Sequence, residues 1–285
     1  MLALQRANIA VEKYFASEID KYAIEVSKRN FPEIIRLGDI TRLNASDIPD
    51  KIDLLIGGSP CQSFSRSGDN SGFQGKSGLF YEYVRLLKEV KPRYFLLENV
   101  VMKKEWEEKI TEILGVSPVM IDSSNFSAQK RQRLYWTNIP FDKDIPNKQI
   151  MLKDIYIYIY TQEHKNINDS PVVISRLSDG IKVRNATKLG YLIAHNGDCV
   201  NLEVPNSNTR RGRVSVGKSN TLNTACNYGY VVDGNLVELN ITEYERLQTL
   251  PDGYTDGISL RQRKKVIGNG WTVDVIAHIL KGLNK

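Results

Sequence analysis

Cysteine is scarce in this 285-residue chain. There are three, Cys61, Cys199 and Cys226, far apart in sequence and with no pair at CxxC spacing. The spacing therefore suggests neither a disulfide framework nor a zinc site, and each thiol is expected to be reduced. Long apolar runs are missing too: nothing approaches the roughly 18 residues that a membrane-spanning helix needs. The opening stretch MLALQRANIAVEKYF has no apolar run leading to a small-residue cleavage site, so a cytoplasmic location is expected. No internal repeat or low-complexity linker is evident. Charge of one sign is only mildly in excess, at +6. That balance suits a phosphate-rich partner without identifying one. What is present, 41% apolar and 25% charged residues, suffices for a globular core. The length suits one large domain, or a large one with a small companion.

The first 140 residues alternate strand-like and helix-like segments. VEKYFASEI is rich in β-branched and aromatic residues and reads as a strand. Asp20 is placed to cap a helix through DKYAIEVSKRN, which Pro32 ends. IIRLGDI and KIDLLIGG are further short strands, the second closed by Gly57 and Gly58. In LFYEYVRLLKEV, Leu79, Tyr83, Leu86, Leu87 and Val90 recur at helical spacing, with Ser77 as a cap and Pro92 as a stop. RYFLLENV, PVMIDSSNF and RLYWTNI read as strands, and EWEEKITEILG as a helix ending at Gly115. Such alternation predicts an α/β fold, a doubly wound, mostly parallel sheet with helices on both faces. In that architecture chemistry sits beyond the carboxyl ends of the strands.

Residues 141–240 change character. Asn, Gly, Ser and Thr are plentiful and helical periodicity is lost, so a small β-rich region is expected, with YIYIY as one strand. From 241 onward the pattern turns helical. Thr242 and Glu245 have capping-box spacing, and TVDVIAHILKGL predicts an amphipathic C-terminal helix. The expected plan is an α/β domain over 1–140, an insertion over 141–240, and a return to the first domain over 241–285.

Several motifs sit where this plan puts a site. GGSPCQSFS carries Cys61 on a loop at a strand's carboxyl end, preceded by Pro60. It reads as a nucleophile there, or as a cysteine buried in a structural turn. Glu98 ends the apolar run of LLENV, and its carboxylate can handle a proton in the crevice or cap and pair locally. Glu18 and Asp39 each follow a strand, as do the acids that hold nucleoside hydroxyls in such sheets. QKRQRLYW and TRRGR offer clustered cations, for phosphate or for a solvated face. GNGW, at 268–271, is expected to open the final helix, with Trp271 against a ligand or in the core.

In this order, SPCQSFS, LENV, QKRQRLYW, EYERLQTLPDGYT and IGNGWTVDVI resemble the C5-cytosine-specific DNA methyltransferase family over nearly the whole chain. GNGW is closer to the de novo branch and its bacterial and phage relatives. The resemblance implies a class I methyltransferase fold, S-adenosylmethionine as cofactor, double-stranded DNA as partner, and a bacterial or phage-infected host. It implies that Cys61 adds to C6 of a flipped-out cytosine, that Glu98 holds N3 and the exocyclic amine, and that Arg133, assisted by Arg131, steadies base and loop. It further implies cofactor contacts from Glu18, Ile19, Asp39, Ile40, Pro60, Asn269 and Trp271. Gln62 and Ser63 would close on the base, and Arg210, Arg211, Arg213 and Lys218 would meet DNA from a target-recognition region at 141–240.

One departure stands out. Family members begin with a strand and a glycine-containing loop that cradles the methionine part of the cofactor, whereas MLALQRANI resembles the helix that follows. The expectation is therefore a sheet lacking its first, central strand, with edges left unpaired. A truncated or degenerate member acting as a non-catalytic DNA- or partner-binding module is the alternative function.

Overall fold

The structure, a computed structural model, describes residues 1–59, 78–156 and 165–285. Its contacts divide the chain into two compact units. The first holds Met1–Asp122, Gln132–Ile145 and Val275–Lys285, and the second holds Ser123–Arg131 and Pro146–Asp274. Residues 241–274 therefore pack with the preceding insertion, and the divisions fall at other positions than 140 and 240. No described helix is long and apolar enough to cross a membrane.

The first unit opens with α1 (Leu2–Arg6), β1 (Phe15–Ser17), α2 (Lys21–Asn30), β2 (Ile35–Gly38) and β3 (Leu54–Gly58). Asp20 caps α2 as expected: its carboxylate accepts from the amides of Tyr22 at 2.9 Å and Ala23 at 3.4 Å. Next come α3 (Leu79–Val90), β4 (Tyr94–Val100), α4 (Lys104–Leu114), β5 (Val119–Asp122) and β6 (Gln132–Thr137). The helix α3 buries Phe80, Tyr83, Val84 and Leu86. That stripe lies one step round from the expected one, because Leu79 and Val90 fall at the helix ends, where cover is thinner. Ser77, the expected cap, lies outside the described residues.

β1 and β2 pair in parallel, as do β3 and β4. β6 runs antiparallel between β4 and β5. The result is a two-stranded sheet and a four-stranded sheet in the order β3-β4-β6-β5. Among the described residues no ladder joins β1 to β3. The fold is mixed α/β, with β6 reversed. Its core joins α3, α4 and the sheet through Phe80, Tyr83, Ile110, Leu97, Leu134 and Trp136. The indole of Trp136 is satisfied by Thr111 Oγ1 at 3.0 Å, as a buried N–H requires.

The second unit is β-rich, as its composition predicts. After α5 (Leu152–Ile155) it forms β7 (Val173–Arg176), β8 (Gly180–Arg184), β9 (Tyr191–His195), β10 (Cys199–Asn201), β11 (Val214–Ser215), β12 (Tyr228–Val232) and β13 (Asn235–Glu238). The antiparallel sheets are β7-β8-β9 and β11-β10-β12-β13. Tyr156 follows α5 outside any strand, and 157–160 of the expected YIYIY strand lie outside the described residues. Two helices complete the unit, α6 (Ile241–Leu247) and α7 (Leu260–Asn269), and α8 (Val273–Leu280) begins in it.

Two local expectations are corrected. The capping box of α6 is Asn240 with Glu243: the Asn240 side chain accepts from the Glu243 amide at 2.9 Å, and Glu243 accepts from the Asn240 amide at 2.8 Å. Thr242 lies inside the helix, and Glu245 is drawn away to a loop. GNGW does not open the final helix. Asn269 ends α7, Gly270 caps it, and Trp271 stands between α7 and α8. The sequence reading had not found α7, whose charged stretch LRQRKK gives only a weak apolar stripe.

Candidate active site

In the first unit, strands β3 and β4 end side by side, with Gly58 opposite Glu98. Glu98 of β4 faces Tyr135 of β6, and Arg133 of β6 faces Val100 of β4. Residues 98 and 133 are therefore diagonal neighbours on one face of the antiparallel pair, within reach of long side chains. Their ion pair measures 2.9 Å, from Arg133 Nε to Glu98 Oε1, with the side chains 13% and 11% exposed. At that burial solvent screens the pair little, and Arg133 holds the carboxylate in one orientation. Next to it, the amide of Asn99 donates to Ser59 Oγ at 2.8 Å, while its Oδ1 accepts from the Val100 amide. Sequence reasoning had missed this tether at Ser59, two residues before Cys61 in sequence. Gly57 is needed for packing, since a Cβ there would lie 2.5 Å from the Tyr83 ring. Pro60, Cys61, Gln62 and Ser63 lie outside the described residues.

The ends of β1 and β2 form a second cluster in the same unit. Ser17 pairs with Gly38, so Glu18 and Asp39 follow adjacent parallel strands. Glu18 Oε1 accepts from the amides of Ile19 and Asp20, both at 2.8 Å. Asp39 Oδ1 accepts from the Thr41 amide and hydroxyl, both at 2.9 Å. Those bonds hold the Asp39 carboxyl below the usual carboxylate range. Ile19 is 72% exposed, an unusual place for a large aliphatic side chain. Two acceptors and an apolar side chain at one sheet edge fit the hydroxyls, amino group and flat face of a nucleoside. Arg85 of α3 pins the turn carrying Ile40, donating to the carbonyls of Ile40 at 3.0 Å and Leu43 at 2.7 Å. No sequence signal distinguished it from an arginine paired along its own helix.

In the second unit the structure brings Arg131 to the turn at 268–271. Its guanidinium is buried and donates to the carbonyls of Leu222, Gly268 and Gly270, at 2.9, 3.3 and 3.0 Å. Arg131 thus supports main chain, where the resemblance had implied help at the base. Gly268 permits the packing: a Cβ there would sit 2.1 Å from the Asn223 carbonyl oxygen. Asn269 is exposed and Trp271 half-buried.

The candidate DNA contacts divide. Arg211 is exposed, with Nε on the Ala186 carbonyl at 3.0 Å, and Arg210 pairs with Glu203 at 2.6 Å. Arg213 is fully buried and donates to the carbonyls of Asn201, Glu203 and Val204. Lys218 donates to the carbonyls of Ser124, Ser127 and Ile150. The expectation of DNA contact for these two gives way to an inward, structural placement. Main-chain oxygens compete successfully for a cation when a loop folds over it. Among the described residues no group of three or more His, Cys, Asp or Glu could hold a metal ion.

The sequence matches the family described as C-5 cytosine-specific DNA methylase over residues 1–285. It is 38% identical over 154 residues to the type II methyltransferase M.NgoBV of Neisseria gonorrhoeae, a match covering 47% of this chain and 36% of that protein. To the type II methyltransferase M1.ScrFI of Lactococcus lactis subsp. cremoris it is 31% identical, over 93% of this chain and 70% of that one. Among solved structures, a DNMT2 of Spodoptera frugiperda matches with a TM-score of 0.64 and 18% identity, covering 100% of this chain and 96% of that one. That likeness speaks for the fold. The family match runs the length of the chain and takes in the strand ends where Glu98 and Arg133 meet: the chain belongs to the C-5 cytosine-specific DNA methylase family.

Proposed function

We propose that this chain is a DNA (cytosine-5)-methyltransferase, moving a methyl group from S-adenosylmethionine to C5 of a cytosine flipped out of double-stranded DNA. The observation that carries the reading is the oriented Glu98–Arg133 pair. It stands beside the strand that leads, within three residues of Gly58, to Cys61. Support comes also from the nucleoside-like acceptor set at Glu18 and Asp39, with Ile19 and Ile40 beside them. Pro60, Asn269 and Trp271 are the other residues proposed to touch the cofactor.

C5 of cytosine is too weak a nucleophile to take a methyl group unaided. The Cys61 thiolate adds to C6, and the C5–C6 π pair becomes available at C5. Glu98 holds the ring at N3 and the exocyclic amine, so charge entering the ring is met where it develops. Arg133 keeps that carboxylate aimed. S-adenosylmethionine, when bound, supplies an electrophilic methyl on a sulfonium. Once C5 has gained the methyl, a base (a water in this reading) removes the C5 proton. The released pair re-forms the double bond and expels Cys61. Gln62 and Ser63 follow Cys61 directly in sequence and are proposed to close on the base. Arg210 and Arg211 are the proposed DNA contacts from the second unit, and either sequence-blind phosphate contacts or base-edge contacts are open to them.

Duplex DNA carrying 5-fluorocytosine tests the chemistry, because fluorine at C5 blocks the final elimination. With S-adenosylmethionine present, a covalent protein–DNA band should survive denaturing electrophoresis. Cys61→Ser should abolish it, while Cys199→Ser and Cys226→Ser should keep it. A band that persists in Cys61→Ser would sink the assignment.

A further inference from the structure

Gln248 is the centre of a buried hydrogen-bond network in the second unit. It is fully buried, and both ends of its amide are engaged. Its Oε1 accepts from Thr272 Oγ1 at 2.8 Å and from Gln129 Nε2 at 3.0 Å. Its Nε2 donates to the carbonyls of Ile267 at 2.9 Å and Gly270 at 3.1 Å. The direction of every bond follows from groups that have no choice. The Leu222 amide can only donate, and it donates to Gln129 Oε1 at 2.9 Å. Gln129 Nε2 must then face acceptors, which are the Leu247 carbonyl at 3.1 Å and Gln248 Oε1. That leaves Gln248 Nε2 toward Ile267 and Gly270, whose carbonyls can only accept. Ser123 Oγ extends the chain to Thr272 at 2.8 Å. A fully satisfied buried network of this kind specifies one arrangement and penalises others.

Two pieces that the motifs single out meet here. Gln248 belongs to EYERLQTLPDGYT, which no step of the proposed reaction uses. Its amide grips the 267–270 turn from the side that Arg131 also holds, since both donate to the Gly270 carbonyl. With its carbonyls drawn inward, the turn leaves Asn269 exposed and Trp271 half-buried beside it. We infer that Gln248 is a positioning residue for cofactor binding, holding the 267–272 turn in the shape that presents Asn269 and Trp271. This rests on the reading in which those two residues touch S-adenosylmethionine.

Gln248→Met keeps the side-chain length and removes all the amide bonds. Two measurements on the full chain test the inference: calorimetric titration with S-adenosylmethionine, and hydrogen exchange without it. The expected result is a Kd raised about tenfold. Exchange should quicken at 129–131, 222 and 267–272, with the β7–β9 amides unchanged. In turnover, KM for the cofactor should rise with Kd while kcat stays within about threefold and KM for DNA holds, as expected for lost ground-state binding. An unchanged Kd beside a loosened turn overturns the inference, as does loosening of the whole unit with kcat and both KM values affected together. Trp271→Ala separates the layers. If it weakens binding and Gln248→Met does not, the role of Gln248 falls alone. If Trp271→Ala leaves Kd unchanged, or the unaltered chain binds no cofactor, the underlying assignment falls and the inference with it. Should Gln248→Met not accumulate folded, Thr272→Val removes one donor to Gln248 Oε1 at constant size. It should raise Kd in the same direction, and an unchanged value overturns the proposal.

Discussion

Burial marks two of the three thiols, Cys199 and Cys226. Cys199 and Cys226 lie in the core with Leu222, Tyr228 and Tyr244. Loss of water there pushes both thiols up to about 12. At pH 8 a thiol titrating near 12 is ionised in about one molecule in 10⁴, too little for ready attack on a disulfide reagent. An aromatic disulfide reagent should therefore label the native chain at no more than one equivalent, at Cys61, and the denatured chain at three. Two or more equivalents from the native chain would show the buried assignment to be mistaken. Composition alone treats the three cysteines alike. What set Cys61 apart in the sequence was its strand–glycine–proline context. Glu98 was legible in the same way, as an acid ending an apolar run. Its partner was not, because pairing 98 with 133 depends on a register that emerges only when β6 docks against β4.

Among the elements, α6 is capped by Asn240 with Glu243, where the sequence had pointed to Thr242 with Glu245. Tertiary structure decides between them. Glu245 is fully buried and accepts from the Gly253 amide, the Thr255 amide and Arg263. It is thereby committed to the PDGYT loop, and the first pair is left to cap. Asn240→Ala should destabilise the chain by about 1 kcal/mol in urea unfolding, and Thr242→Ala by under about 0.5 kcal/mol. The reverse order would restore the cap that the sequence alone preferred. The same lesson applies to α7. Its start lies in a charged stretch, so pattern reading found no helix and assigned GNGW to the wrong end of one. Strongly periodic α3 was read correctly in extent, and only its buried face was turned.

For the molecule as a whole, alternation along the first 140 residues was enough to announce an α/β fold. The inner placement of Arg213 and Lys218 was not legible, because a basic loop looks the same whether its cations face water or its own carbonyls. Among the described residues the first unit holds two sheets, and they are not equally covered. β4 is buried along most of its length, whereas β1 and β2 are half-buried or exposed throughout. Amides of β1 and β2 should exchange roughly tenfold or more faster than those of β4 and β6, since protection follows local burial. Equal protection across both sheets would mean that the smaller one opens only with the larger.

Arg213 carries a further consequence. It grips three successive parts of its own loop by their main-chain oxygens, and every amino acid offers the same oxygen there. That clamp is thus indifferent to the identity of the side chains whose oxygens it holds. A surface mounted this way keeps its main-chain clamp when outward letters such as Asn206 and Asn208 are rewritten, whereas Ser207 and Arg210 are tied in through their side chains.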